Sequence, residues 1–150
     1  MIPSLRGWHE EYHDQGLVVI GNHFPEFSYE RELDNLIQAV ERLEVNYPVA
    51  QDNEGKTWRA YNNRYWPSLY LIDKSGNIRY RHIGEGRYEE TEAAIQTLLA
   101  EAYPYEGEEG GKRETNIINY GGVIRQLDWL NLCRAELSIG AHTGIAFRAF

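Results

Sequence analysis

The pattern HEEYH is the part of the sequence whose residue types and spacing most directly suggest chemistry. It places His9 and His13 four residues apart, with Glu10 directly after the first histidine. On a helix, two histidines at this spacing share a face and can bind zinc, and the glutamate can act as general base on the metal-bound water. A catalytic zinc also needs a third protein ligand. None of the other histidines completes a longer zinc-protease pattern, so we interpret the match as coincidental and predict no metal site.

Cys133 is the only cysteine in the 150-residue sequence and the second candidate for chemistry. It lies in the apolar stretch "WLNLCRAEL", which favours a buried, inert thiol over a reactive nucleophile. A single cysteine forms no internal disulfide and no cysteine-rich zinc site. The glycines in "GEGRYEET" and "YGG" do not match a phosphate-binding loop, so no cofactor is predicted.

The charge balance narrows the range of partners. The net charge of −8 and the pI near 5.1 argue against binding to nucleic acid or an anionic membrane surface, and no basic stripe offsets them. No apolar run approaches the roughly 18 residues of a membrane-spanning helix. The N-terminal stretch "IPSLRGWHEEY" lacks the apolar core of a signal peptide. The chain as written is therefore expected in the cytoplasm.

Hydrophobic periodicity predicts an α/β domain over residues 1–103. The continuous apolar run "LVVIGNH" is typical of a buried parallel strand, and "KSG" between two strand-like segments indicates a hairpin. Early alternation of helices and strands, followed by a hairpin, predicts a mixed sheet flanked by helices. The helices are predicted at 3–15, 28–45, 55–62 and 88–103. The strands are predicted at 17–23, 47–52, 68–73 and 77–84.

The apolar spacing within two of these helices predicts which face is buried. In the first helix, Leu5, Trp8 and Tyr12 share one face. The buried face of the second helix is predicted to consist of Leu33, Leu36, Ile37, Val40 and Leu43.

The character of the sequence changes at Pro104. Residues 104–116 are acidic and glycine-rich, which predicts a linker. Residues 117–150 have apolar content without a clean period, so no single structure is predicted for this tail. Within the tail, "VIRQLDWLNLCRAEL" has features of a helix and "IAFRAF" has features of a strand.

Five motifs together resemble one known family. They are "LRGWHEEY", "GLVVIGNHFPEF", "YPVAQDN", "TWRAYNNRYWPSLYLID" and "GEGRYEETE". In this combination, residues 1–103 resemble the thioredoxin-like domain of the TlpA and DipZ-type thiol–disulfide oxidoreductases. The resemblance implies a thioredoxin-like fold, redox activity towards protein thiols and disulfides, and no cofactor. It also implies a periplasmic or membrane-anchored location, in contrast to the expectation from the chain as written.

The same resemblance nominates three site residues. "YWPSLYLID" resembles the family's substrate-docking loop, so Trp66 and Pro67 are expected to form a cis-proline loop before a strand. Cis peptide bonds are essentially confined to proline and mark tight turns; the alternative is a trans proline at a strand start. Glu26 in "FPEF" resembles a position near the active site and could act as an acid or base, or could be a surface carboxylate.

The sequence departs from the family at its catalytic motif. The family's chemistry needs a Cys-x-x-Cys just upstream of the helical proline that Pro3 matches, where the helix dipole lowers the pKa of the first thiol. This sequence contains neither that motif nor the central strand before it. We therefore expect an N-terminally truncated family member that is redox-inactive as written.

Two alternatives and one structural consequence follow from this departure. The chain is either a redox domain that is active only in a longer form, or a non-catalytic binding module. A zinc-dependent hydrolase is a distant third possibility. Because the missing strand would expose two strand edges, the fold predicts self-association or filling of the gap by "IAFRAF".

Overall fold

The computed structural model describes residues 1–101, 123–124 and 143–146. Within them, helices and strands alternate as an α/β fold. The helices are α1 (Ile2–Tyr12), α2 (Leu33–Arg42), α3 (Lys56–Ala60) and α4 (Tyr88–Ala100). The strands are β1 (Leu17–Val19), β2 (Gly21–His23), β3 (Val49–Gln51), β4 (Ser68–Ile72), β5 (Ile78–Ile83), β6 (Val123–Ile124) and β7 (Thr143–Ala146).

The strands form three hydrogen-bonded groups, two of them parallel and one antiparallel, so the predicted mixture of strand directions is confirmed. β2, β3 and β6 pair in parallel, β1 pairs in parallel with β7, and β4 and β5 form an antiparallel hairpin. β7 also lies against β4. The hairpin at "KSG" is therefore confirmed, and the strand that flanks both β1 and β4 comes from the tail.

Most of the core lies where three helices cover the strands. α1 contributes Leu5, Trp8 and Tyr12, as its spacing predicts, and Gly16 follows its last turn with a left-handed φ of 104°. These three α1 residues, together with residues of α2 and α4, pack against buried leucines and valines of β1, β3 and β4. A second buried cluster consists of Ile20, Ala50, Tyr70 and Ile72, with Val18 and Tyr61 packed against it.

The predicted single strand at 17–23 is wrong in one detail. Ile20 interrupts it, so that β1 pairs with β7 while β2 pairs with β3. Val19 lies in the larger core cluster and Ile20 in the second one, as side chains alternate along a strand, so both faces of the segment are buried. Apolar residues on both faces give a continuous apolar run whether or not the backbone is regular.

The predicted helix at 28–45 is shorter and divided. A 3₁₀ turn at Ser28–Arg31 precedes α2, and Glu32 between them is extended with φ −74° and ψ 124°. Leu36 is buried, but Leu43 lies beyond the helix and is 38% exposed, so its predicted burial is wrong. The helix ends too early to carry Leu43 onto its buried face.

The tail contributes two short strands to the described structure. Val123 and Ile124, the first two residues of the stretch with helical features, form a strand on β3. The predicted strand at 145–150 overlaps β7, which starts two residues earlier. The linker at 104–116, Cys133, and the rest of the tail lie outside the described residues. None of the described helices has the length and apolar character to cross a membrane.

Candidate functional site

The loop before β4 is the most distinctive backbone feature of the sheet. The peptide bond between Trp66 and Pro67 is cis, as the resemblance implies. The Pro67 carbonyl accepts a hydrogen bond from the Gly84 N–H at 2.9 Å, and the Ser68 hydroxyl donates to the Tyr65 carbonyl at 2.7 Å. These bonds fix the loop against the end of β5. We call residues 64–67 the docking loop after the role that the resemblance implies, which stays a prediction.

Three aromatic rings pack against one another beside the docking loop and form what we call the aromatic triad. Trp66 lies 4.4 Å from Trp58 and 6.0 Å from Phe24, and the Phe24 and Trp58 rings are stacked at 4.8 Å, all between ring centroids. Such offset contacts each contribute about 0.5–1.5 kcal/mol beyond area burial. Trp66 nevertheless stays 39% exposed, and neighbouring Tyr65 is 58% exposed. The triad is thus a supported apolar surface that solvent can reach.

Gly55 allows this packing. Its φ is +63°, and a Cβ at this position would lie 2.8 Å from Cε2 of Phe24. Side chains other than glycine avoid this backbone conformation. The sequence "DNEGKTW" therefore places a glycine where the chain turns into α3 and passes under the Phe24 ring.

A buried carboxylate holds α3 in place. Asp52 is 0% exposed and accepts hydrogen bonds from the N–H of Trp58 at 2.8 Å and of Thr57 at 3.3 Å. Asn22 on β2 donates its side-chain amide to the same carboxylate at 3.5 Å. The network links β2 to α3 and so fixes the Trp58 ring of the triad.

A small cavity of about 20 Å³ lies between β2, α3 and β4. The Oδ1 atom of Asn22 is buried and has no hydrogen-bond partner within the described residues. This volume is enough for about one water molecule. The lining includes Asn22, Thr57, Trp58, Asn63, Ser68 and Tyr70.

Glu26 lies in the loop that carries Phe24. It is exposed, and its N–H donates to the Glu30 carboxylate at 2.7 Å, as does the N–H of Phe27 at 3.0 Å. The loop that contains Glu26 contacts the docking loop through the stacked rings of Phe24 and Trp66. The acid or base role of Glu26 stays a prediction.

The N-terminal end of α1 lies near the docking loop. The Met1 amino nitrogen is 2.7 Å from the Glu85 carboxylate, and the preceding residue, Gly84, is bonded to Pro67. Pro67 is therefore linked to the N-terminal end of α1 through Gly84 and Glu85.

The HEEYH residues lie on α1 and just after it. The His9 and His13 rings are 5.4 Å apart, and His9 packs edge-on against Tyr47. Burial and then the nearby His13 lower the pKa of His9. The Glu10 carboxylate accepts a hydrogen bond from the Asn46 amide at 2.8 Å. In the part of the chain that the structure describes, no group of three or more His, Cys, Asp or Glu residues is arranged to hold a metal.

His23 is a buried histidine that ends β2. Its Nε2 lies 3.2 Å from the Glu30 carbonyl, and burial lowers the pKa of its imidazole despite the opposing effect of Glu30. His23 lines a groove of about 310 Å³ beside α2, and Tyr29 and Val40 also line this groove. Burial therefore disfavours the protonated form of this ring.

The fold and the docking loop define a thioredoxin-like α/β domain. The AhpC/TSA family profile matches residues 1–81, more than half of the sequence. The chain therefore belongs to the AhpC/TSA family.

Individual relatives agree with this assignment. The chain is 45% identical over 103 residues to Protein DipZ of Mycobacterium tuberculosis, covering 69% of the chain and 15% of DipZ. It is 24% identical over 100 residues to the thiol-disulfide oxidoreductase YkuV of Bacillus subtilis, covering 67% of each. The chain thus spans only about 15% of the length of DipZ. The predicted thioredoxin-like thiol–disulfide oxidoreductase family is confirmed.

A solved structure supports the fold independently. The structure of a Chlorobium tepidum protein, described as a thiol:disulfide interchange protein DsbE, superposes with a TM-score of 0.59 at 22% identity. The superposition covers 65% of this chain and 67% of that one. At this identity the likeness shows the fold alone.

Sequence reasoning found the docking loop but missed the residues that support it. Phe24 and Trp58 were visible only as aromatic residues in polar segments, "NHFPEF" and "GKTWRAY". The only available signal was a large aromatic residue in each of two otherwise polar segments, one of which also contains Gly55. Nothing in the spacing indicated that they meet Trp66.

Proposed function

We propose that this chain is a thioredoxin-like domain of the thiol–disulfide oxidoreductase type that docks protein thiol or disulfide segments without completing dithiol–disulfide exchange by itself. The cysteine count is the observation that supports the lack of dithiol–disulfide exchange. A two-electron exchange within one domain needs an attacking and a resolving thiol, and the sequence has one cysteine, Cys133. A single thiol can form a mixed disulfide, but no second thiol of the chain resolves it.

The test is a disulfide-reduction assay with dithiothreitol as the electron source. Three proteins are compared: the chain, the chain extended N-terminally by a strand and Cys-x-x-Cys, and the same extension with Ser-x-x-Ser. We expect background rates from the first and third and clear turnover from the second. Turnover by the unextended chain that disappears in Cys133→Ser would contradict the proposal.

A second candidate function, a non-catalytic binding module, is favoured by the aromatic triad. A fixed apolar surface that remains reachable by solvent suits an extended polypeptide whose side chains pack on Trp66. Tryptophan is enriched among the residues that dominate binding energy at interfaces. The docking loop and the triad would then act together, whether or not thiol chemistry follows.

Binding without exchange is measurable with the insulin B chain after its cysteines have been carboxamidomethylated. We expect Trp66→Ala to weaken binding about tenfold, as for an interface hot spot. Ile78→Ala is the matched control, because Ile78 is also exposed and apolar. It pairs with Ile72 and so lies at the opposite end of the hairpin from Ser68, which follows the docking loop. Equal loss in both variants would remove the docking loop from this function.

Zinc-dependent hydrolysis has no comparable support. The side chains around HEEYH, Asn46 on Glu10 and Tyr47 against His9, are those of a packed helix surface. The prediction of no metal site stands as a prediction, and metal analysis of the purified protein with His9→Ala as reference would test it.

A further inference from the structure

Two exposed arginines lie beside the aromatic surface of the docking loop. Arg64 belongs to the docking loop itself, and Arg81 lies on β5 opposite Tyr70 of β4. We propose that Arg64 and Arg81, which we call the carboxylate rim, make the docking loop select extended polypeptide segments in which an acidic residue flanks an apolar one. This inference rests on the proposed docking function and names the class of segment that the site takes.

Arg81 packs on an aromatic ring that is itself anchored. Its guanidinium carbon lies 5.6 Å from the centroid of the Tyr70 ring, a distance at which cation–π attraction operates. Tyr70 is 3% exposed, and its hydroxyl donates a hydrogen bond to the Asn63 side-chain oxygen at 3.0 Å. The Asn63 amide in turn donates to the Tyr65 carbonyl at 3.4 Å. These contacts connect Arg81 with the docking loop.

The two guanidinium groups of the carboxylate rim can accept a carboxylate from a partner. Both arginines are exposed, and neither forms a salt bridge with any residue that the structure describes. Arg79, on the same strand as Arg81, differs because it pairs with Asp73 and Glu101. The planar guanidinium of an arginine can bind a carboxylate through two parallel hydrogen bonds, and an arginine that is already oriented loses less entropy when it does so.

Apolar side chains adjoin the carboxylate rim. Ile83 is 40% exposed and lies two residues beyond Arg81, hence on the same face of β5. It pairs with Ser68, the residue that follows Pro67. Trp66 is exposed to a similar degree, at 39%. A segment that crosses this surface can therefore pack an apolar side chain on Trp66 or Ile83 while a neighbouring carboxylate reaches an arginine.

The overall charge of the chain favours the opposite selection. With a net charge of −8, the long-range field of the protein attracts basic segments and repels acidic ones. Short-range contact with the rim can reverse this preference, because exposed charges separated by more than about 8–10 Å are largely screened at physiological ionic strength. A preference for acidic segments would therefore identify the rim and not the general field.

The experiment compares the binding of two fluorescein-labelled peptides, GDEVFEDG and its neutral isostere GNQVFQNG, by fluorescence anisotropy. We expect the chain to bind the acidic peptide about three- to tenfold more tightly, as for two exposed ion pairs. The double variant Arg64→Gln/Arg81→Gln should bind the two peptides equally.

Arg42→Gln is the matched control, because it makes the same change of charge per site at another exposed arginine. Arg42 lies on α2, whose buried Leu36 belongs to the larger core cluster, whereas Tyr70 belongs to the second one. This variant should keep the preference for the acidic peptide.

Three results would overturn the proposal. They are equal binding of the two peptides to the unmodified chain, a preference that persists in the double variant, and loss of the preference in Arg42→Gln, which would assign the effect to net charge.

Trp66→Ala separates this proposal from the docking function on which it rests, and it should weaken the binding of both peptides. Equal binding of the two peptides that Trp66→Ala still weakens would refute the carboxylate rim alone. Binding that Trp66→Ala leaves unchanged, or no binding of either peptide, would refute the docking function and the rim with it.

Discussion

The β4–β5 hairpin and the β1–β7 pair achieve strand pairing through contacts of opposite range. The hairpin joins adjacent segments through one turn and pairs five positions, from Ser68 with Ile83 to Ile72 with Ile78. β1 and β7 are separated by most of the chain and pair only three positions, with an irregularity. The loss of entropy on closing the hairpin is therefore small, whereas that on closing the second pair is large.

The hairpin turn adds side-chain support from Asp73. The Asp73 carboxylate accepts hydrogen bonds from the N–H groups of Asn77 at 2.9 Å and Ser75 at 3.0 Å. Burial by itself raises the pKa of Asp73, but these bonds, the Asn77 amide and the Arg79 guanidinium together hold it below its usual value. The docking loop precedes β4, so the candidate site is built on the better supported of the two pairs.

The largest expected effect is a loss of stability caused by a substitution in the β4–β5 hairpin. Leu71 is 0% exposed, and Leu71→Ala should lower the free energy of unfolding by about 2–5 kcal/mol because it leaves a cavity in the core. Urea unfolding followed by tryptophan fluorescence measures it. Ile78→Ala on the same hairpin is the control and should change stability by less than about 0.5 kcal/mol.

The turn itself should give the next largest effect. Asp73→Ala removes the acceptor of two backbone N–H groups and should cost about 1–3 kcal/mol. The pKa of Asp73 is lowered in the folded protein, so its contribution is present above the ordinary value of 3.8 and is lost as the pH falls through the folded value. The difference between wild type and Asp73→Ala should therefore shrink in strong acid, and a constant difference would contradict the assigned role.

A smaller effect, a gain of stability, is expected from a substitution in the β1–β7 pair. Gly144→Val replaces a poor strand former in β7 and should raise the free energy of unfolding by up to about 1 kcal/mol. Gly144→Ala should give a smaller increase, because alanine is also disfavoured in strands. Thermal unfolding of the three proteins under identical conditions measures both, and a lower stability of the valine variant would show that β7 depends on the glycine.

The smallest effect at neutral pH concerns His23 on β2, next to β1. Its pKa is lowered on folding, so below the ordinary value of 6.5 the unfolded chain binds the proton more readily and stability falls as the pH falls. His23→Gln should remove this part of the acid sensitivity without changing the pH dependence above 7. Equal slopes for wild type and variant between pH 5 and pH 7 would assign the sensitivity to other groups.

Sequence reasoning succeeded where local patterns decide the structure. Leu5, Trp8 and Tyr12 are buried as their helical spacing predicts, and "KSG" lies in the hairpin turn. It failed at Ile20, which divides the predicted strand into two strands with different partners, and at Leu43, which lies beyond the early end of α2 and is 38% exposed. Both errors concern where an element ends, which a regular apolar pattern does not fix.

The candidate site shows the same division. Trp66 and Pro67 could be named because they are adjacent in the sequence and match a known loop. Phe24 and Trp58 join them only through the fold, and Gly55 is needed because of a 2.8 Å approach that no sequence pattern reveals. The bulged pairing of β7 with β1 likewise depends on residues more than a hundred positions apart.

The order of the strands along the chain has a consequence for protein synthesis. β1 and β4 are translated long before β7, and at about 5–20 residues per second the ribosome needs about 4–15 seconds to proceed from Ile72 to Ala146. During that interval the edges of β1 and β4 that face β7 are already synthesised, whereas β7 is not. The period in which molecular chaperones can engage these edges is therefore set by the rate of translation and by the position of β7 in the chain.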